Sequence, residues 1–232
     1  MNDGGLKPGT GVWGNGFLPS VYQGTKLNSS GAPIPNLEAA PEAVDVSRET
    51  KAVREDYGQG FGEKCLVARR LLEREVRMVQ IYNGCGPDGW DTHGNNHNRH
   101  VSLMRDVDQG CAALLADLKS RGMLEDTLVI WGGEFGRTPT TEGNNGRDHS
   151  PYGFSMWLAG GGVQGGQVIG ATDELGFRAV EDPLHAHDLH ATLLKLLGID
   201  HEALTWKHQG LERRLTDVFG HQDIADRLTG RG

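Results

Sequence analysis

No stretch of this sequence approaches the run of roughly 18 apolar residues that crosses a bilayer. Its first residues, MNDGGLKPGTGVWGNG, also lack the basic start and apolar stretch of a secretory signal. As written, the chain reads as having no membrane span and no address. Basic residues are in deficit too: 23 Lys and Arg against 31 Asp and Glu leave a formal charge of −8. That excludes non-specific attraction to nucleic acid or to an anionic membrane, and leaves room for an anionic substrate held locally by a metal. Cysteine is reduced to Cys65, Cys85 and Cys111, without CxxC spacing, so neither a zinc knuckle nor a disulfide framework is indicated. Cys65 and Cys111 fall on apolar faces of predicted helices and read as packing.

Glycine, by contrast, is abundant. It supplies 35 of 232 residues, roughly double the average usage, and much of it stands beside charged or histidine residues without a period. Many tight loops are expected. The length suits one α/β domain with a real core and does not force a second.

Residues 1 to about 45 are rich in Gly, Pro, Asn and Ser and show no sustained period; an irregular N-terminal segment is assigned to 1–60 and an α/β domain to 61–232. From Phe61 onward, Phe61, Cys65, Ala68, Leu72 and Val76 share one helical face, with Arg69, Arg70, Glu73 and Arg74 on the surface. VRMVQIY (76–82) is β-rich and runs into the glycine-broken loop NGCGPDGWDTHGNN. A second helix is predicted over about Arg99–Arg121, with Met104, Val107, Cys111, Leu114 and Leu118 apolar and Gly122 as its stop. Thr127–Trp131 and FSMWLAG (154–160) read as strands around the loop EFGRTPTTEGNNGRDHSP. Asp188 is expected to cap a last helix carrying Leu189, Leu193, Leu196 and Leu197, which Gly198 ends. The order helix, strand, helix, strand, strand, helix favours a layered, mainly parallel sheet with helices on both faces.

Ligands of open α/β sheets collect at the carboxyl ends of strands, where loops diverge. The loop after the first predicted strand carries Asp88, Asp91 and His93; the loop after the second starts with Glu134 and Arg137 and ends with Asp148 and His149. Mixed carboxylate and imidazole donors suit zinc, manganese or iron, and an all-oxygen shell suits magnesium or calcium. In IWGGEFGRTP, Glu134 and Arg137 are costly to bury and useless to a core, so their position at a strand end points to a ligand. Thr92 or Thr138 is the candidate nucleophile, with no spacing argument for either. His185, His187 and His190 form a local group, but the helix start at Asp188 favours helix-end and surface roles for them. His97, His100, His201, His208 and His221 read as solvated.

The segments CLVARRLLEREVRMVQ, GWDTHGNN, DTLVIWGGEFGRTP, GRDHSPYGFSMWLAGGGVQGGQVIGATDE, HDLHATLLKLLGID and RRLTDVFG closely resemble, in this order, the sulfatase-like family known as domain of unknown function fifteen-oh-one, of the alkaline phosphatase superfamily. The resemblance spans about residues 10 to 225. It implies an alkaline phosphatase/sulfatase-like fold and a divalent metal (zinc, manganese or calcium) bound by Asp91, His93 and His149, with Asp148 nearby. It also implies that Glu134 takes the place of a superfamily aspartate ligand. Phe135 stands where that superfamily has a histidine, and a phenyl ring cannot coordinate, so the second metal site is altered or absent. Nothing before Phe61 resembles the superfamily's nucleophile-bearing first strand, and the chain reads as the C-terminal portion of a longer protein or a natural truncation. A periplasmic or exported setting is implied by the resemblance alone.

The expected function is hydrolysis of sulfate or phosphate esters, with a small anionic ester or a sulfated glycan as substrate. Arg137 and Glu134 would act at the reacting group, Arg137 neutralising the ester oxygens. The alternative is a non-catalytic remnant that binds, for example, sulfated polysaccharide.

Overall fold

A strand of three residues, Thr25–Leu27 (β1), pairs in parallel with Val79–Ile81 (β2), Thr25 opposite Val79 and Leu27 opposite Ile81. Both belong to the first of two units in the computed structural model, Met1–Leu118; the second is Lys119–Gly232. The structure describes residues 25–27, 41–84 and 89–231. Most of the segment before residue 41, together with Cys85 and Asp88, lies outside them.

Residues 41–60, expected to be irregular, are largely helical. They hold α1 (Pro41–Val44), a 3-10 turn (Val46–Arg48) and α2 (Lys51–Tyr57). The reason is capping. The Asp45 carboxylate accepts the Ser47 N–H at 3.1 Å and the Thr50 hydroxyl accepts the Val53 N–H at 3.3 Å, satisfying donors that a helix start leaves orphaned. Helices this short hold too few residues to display a period.

Helix α3 (Phe61–Leu72) follows its predicted face at Cys65 and Ala68, which are buried. Val76 lies beyond the helix end, yet with Val67, Val79 and Ile81 it packs on the cluster of Ala43, Ala68 and Leu71. Arg69 and Arg70 do not lie on the surface as expected: they are 1% and 6% exposed. Arg69 stands among three carboxylates, 3.1 Å from Glu49, 2.7 Å from Glu73 and 3.0 Å from Asp117. Arg70 pairs with Glu49 and donates to the carbonyls of Ala43 at 2.9 Å and Glu42 at 2.6 Å. A guanidinium carries five donors in a fixed fork, and only such a set of acceptors makes its burial tolerable.

Helix α4 (Asn96–Ser120) buries Val107, Leu114 and Leu118 as predicted, leaves Met104 exposed and stops at Gly122, φ +69°. Gly110 on α4 meets Gly62 on α3 closely: a Cβ on Gly110 would lie 2.8 Å from the Gly62 Cα. Alanine at 110 gains about 1 kcal/mol in helix propensity, but it must force two backbones apart, and overpacking costs about 1–3 kcal/mol. Gly110→Ala is therefore expected to lower the urea midpoint; a raised midpoint would show that the crossing relaxes freely.

In the second unit Val129–Trp131 (β3) pairs antiparallel with Trp157–Ala159 (β6), stacking Trp131 on Trp157 with centroids 6.3 Å apart. Gly136–Arg137 (β4) pairs with His149–Ser150 (β5), Ala171–Thr172 (β7) with Ala179–Glu181 (β8), and Trp206–His208 (β9) with Leu211–Arg213 (β10), all antiparallel. The mixed helix and strand class matches the expectation. Among the described residues the strands form five two-stranded ladders, of which β1–β2 alone is parallel. The short links of β4–β5, β7–β8 and β9–β10 permit only antiparallel pairing, since a parallel pair needs a long crossover.

Helix α5 (Ala186–Leu196) stops at Gly198, φ +74°, as predicted, but its N-cap is His185 and not Asp188. Asp188 is the third residue in, and its carboxylate accepts the His185 N–H at 2.7 Å, closing a capping box. α5 buries Ala191, Thr192 and Leu194, and a short helix, Ala225–Leu228 (α6), packs near it. No helix among the described residues is long and apolar enough to cross a membrane.

Candidate functional site

The sequence-derived residues fall into two sets, one per unit. In the first unit the loop after β2 closes through the Trp90 N–H, which donates to the Gly84 carbonyl at 3.3 Å. The left-handed backbone of Gly84 (φ +65°) places the Trp90 indole where a Cβ would sit, 2.6 Å from its nearest carbon. The segment after Trp90 alternates as extended chain does. Thr92 is fully buried, while Asp91 and His93 on either side are exposed, with Nε2 of His93 3.1 Å from Oδ1 of Asp91. The tight Asp-x-His spacing thus presents both donors together. Thr92 is unsuited to the nucleophile role considered above, because its hydroxyl is buried and bonded to Asn96 and to His100 Nε2 at 3.1 Å. His100, expected to be solvated, is half-buried and lies against Trp90, centroids 5.4 Å apart.

In the second unit, β4 and β5 set Arg137 directly across from His149. The hairpin continues through Thr138 N–H to the Asp148 carbonyl, 2.9 Å, and ends in a turn where Glu142 and Gly146 exchange backbone bonds of 3.0 and 2.7 Å. Gly136 is required at its place, since a Cβ there would come within 2.8 Å of Phe154 and 2.9 Å of the Gly153 carbonyl. Arg137 is half-buried and donates to the Arg147 carbonyl at 3.3 Å. Asp148 is exposed; its carboxylate accepts the His149 N–H at 2.7 Å and offers an oxygen within 4.8 Å of one from Glu142. Glu142 was not among the predicted residues; an acid at the edge of a Gly-Asn-rich turn gives no sign in sequence that its carboxylate comes near that of Asp148.

Glu134 is exposed in the bend between β3 and β4. Phe135 lies against His149, centroids 4.3 Å apart and planes at 39°. The Thr138 hydroxyl donates to the Thr140 carbonyl and accepts the Asp148 N–H, both at 3.1 Å, so its bonding capacity is used in holding the hairpin.

His185 and His190 keep the expected helix-end and surface places, His185 as the exposed N-cap of α5 and His190 exposed along it, whereas His187 is half-buried. His221, expected to be solvated, is 16% exposed in its side chain and pairs with Asp188 at 3.0 Å. His201, also expected to be solvated, is half-buried against the Thr216 hydroxyl at 2.9 Å. His185, His187 and His221 offer ring nitrogens within 4.8 Å of one another. Burial raises the Asp188 pKa, but bonds from the His185 backbone, His221 and the Gln222 backbone more than offset it and hold the carboxyl below its usual range. Partial desolvation and the neighbouring His187 hold His190 below the ordinary histidine value.

No curated protein and no solved structure matches the chain significantly. One family model does, over residues 36–228, and it covers both the Asp91–His93 segment and the Arg137–His149 hairpin. On that match the chain belongs to the family described as Protein of unknown function (DUF1501).

Proposed function

We propose that the chain is a metal-dependent hydrolase of sulfate or phosphate esters, related in fold to the alkaline phosphatase superfamily. The observation that supports this is the β4–β5 register, which opposes a guanidinium, Arg137, to an imidazole, His149, whose chain neighbour Asp148 has a carboxylate oxygen within 4.8 Å of one from Glu142. Arginine suits a tetrahedral oxyanion because its planar fork donates two parallel bonds. Each unit would offer donors of its own for a divalent metal (zinc, manganese or calcium): Asp91 with His93 in the first, and Asp148 with Glu142, beside His149, in the second. A mixed set of carboxylates and imidazoles fits such an ion. When bound, the metal supplies Lewis acidity toward an ester oxygen or a water. Arg137 neutralises charge on the transferring group, and Glu134, which is exposed, would take the proton of the attacking water.

Elemental analysis together with turnover of p-nitrophenyl sulfate and p-nitrophenyl phosphate tests this. Wild type is expected to carry metal and to hydrolyse one of the esters, with both metal and turnover reduced in His93→Ala and in His149→Ala. Wild-type protein that turns over neither ester with zinc, manganese or calcium supplied would sink the proposal.

One contact favours a non-catalytic module for sulfated polysaccharide instead: Phe135 covers a face of His149. Binding of heparin that a chelator leaves unchanged, without turnover, is the result expected in that case.

A further inference from the structure

Three histidines that meet at the start of α5 lie outside the loops assigned above. His185 and His187 come from the helix start and His221 from the stretch before α6, and their ring centroids are 4.7–4.8 Å apart in all three pairs. Asp188 ties the group together. One of its oxygens takes the His185 N–H at 2.7 Å, and the other takes His221 Nδ1 at 3.0 Å and the Gln222 N–H at 3.2 Å.

An ionised carboxylate only accepts, so the proton between Asp188 and His221 sits on Nδ1 and the lone pair of His221 is at Nε2. A carboxylate fixing the tautomer of a histidine in this way is the outer-shell arrangement that orients metal-bound imidazoles. The second observation is His187: its Nδ1 is buried and has no hydrogen-bond partner, although buried polar atoms are almost always satisfied. The third is charge. Protonating three rings this close would crowd like charges, whereas three neutral imidazoles around one cation bring lone pairs to a positive centre.

We propose that His185, His187 and His221 form a site for a zinc-class divalent ion, with Asp188 orienting His221 and a fourth position left to water. Zinc holds nitrogen at about 2.0–2.1 Å in a tetrahedral shell, so the three rings close inward on binding. His185 must change most. Its Nδ1 accepts the His187 N–H at 3.1 Å, which in a neutral ring leaves the proton on Nε2. Loading the ion breaks that bond or moves that proton, while the Asp188 half of the capping box stays.

The test uses the full chain carrying His93→Ala and His149→Ala, stripped with chelator, so that the donors of the proposed hydrolase do not contribute. Zn2+ titration by calorimetry is expected to give one equivalent, and Co2+ the visible bands of a tetrahedral ion. His187→Gln, which has no Nδ1 bond to lose, and His221→Gln should each weaken binding by at least tenfold with an unchanged circular dichroism spectrum. Absence of binding, or the same affinity in both glutamine variants, overturns the site. Neither result depends on ester turnover, so this site and the hydrolase stand or fall separately.

Discussion

Arg69→Ala is expected to lower the stability of the first unit by about 3–5 kcal/mol, the usual consequence of removing one partner from a buried ion pair. Against a typical total of about 5–15 kcal/mol, that is enough to leave the unit marginal. The side chain is 1% exposed and serves Glu49, Glu73 and Asp117 at once. Asp117 also accepts the Tyr57 hydroxyl at 3.0 Å; burial and this carboxylate push the hydroxyl's pKa up, so it stays protonated. Without the guanidinium, Asp117 loses a counterion and Glu49 keeps only Arg70, with the two carboxylates 17% and 13% exposed. Urea unfolding followed by circular dichroism measures the loss, and a change under about 1 kcal/mol would show that the network contributes only what exposed pairs do.

The same network sets an acid limit. Burial raises the Glu49 pKa, but hydrogen bonds from Arg69 and Arg70 outweigh it and hold the carboxyl below its ordinary value. A group whose folded pKa is depressed contributes stability above its unfolded pKa and loses it as pH falls through the folded one. Wild type is therefore expected to lose stability on acidification through the carboxylate range. Arg69→Ala should show a shallower slope, because one of the two guanidinium partners of Glu49 is gone.

Arg137→Ala is expected to lower kcat for the ester that turns over by about 10²–10³-fold, the scale of removing one preorganised donor from a developing oxyanion. Arg137→Lys should recover only part, since an ammonium keeps the charge and loses the fork. Because Arg137 also donates to the Arg147 carbonyl, thermal melts of both variants must match wild type for the comparison to count. Unchanged kcat with a raised KM would mean that Arg137 binds substrate and transition state alike, removing its assigned role.

Much of the local structure was legible. The face of α4, the stops at Gly122 and Gly198, and the strand segments around Val129–Trp131 and Trp157–Ala159 follow from period and glycine position. Asp91 and His93 were legible as a pair, because alternation in extended chain puts residues two apart on one side. Partners of β3 and β5 were not, since each is a short run that several others could match.

The chain's own pattern gave local features: the stops at Gly122 and Gly198, the apolar face of α4, and the loops that carry carboxylate, imidazole and guanidinium. Tertiary structure decided which charged and histidine residues are buried. Arg69 and Arg70 occupy surface positions by period, and only Glu49, Asp117 and the α1 carbonyls around them make their burial tolerable. Asp188 and His221 stand 33 residues apart, and the bond between them turns two ordinary residues into an oriented donor. A side chain's partners in space set its charge state and reach, and contacts over such separations leave no period in the chain.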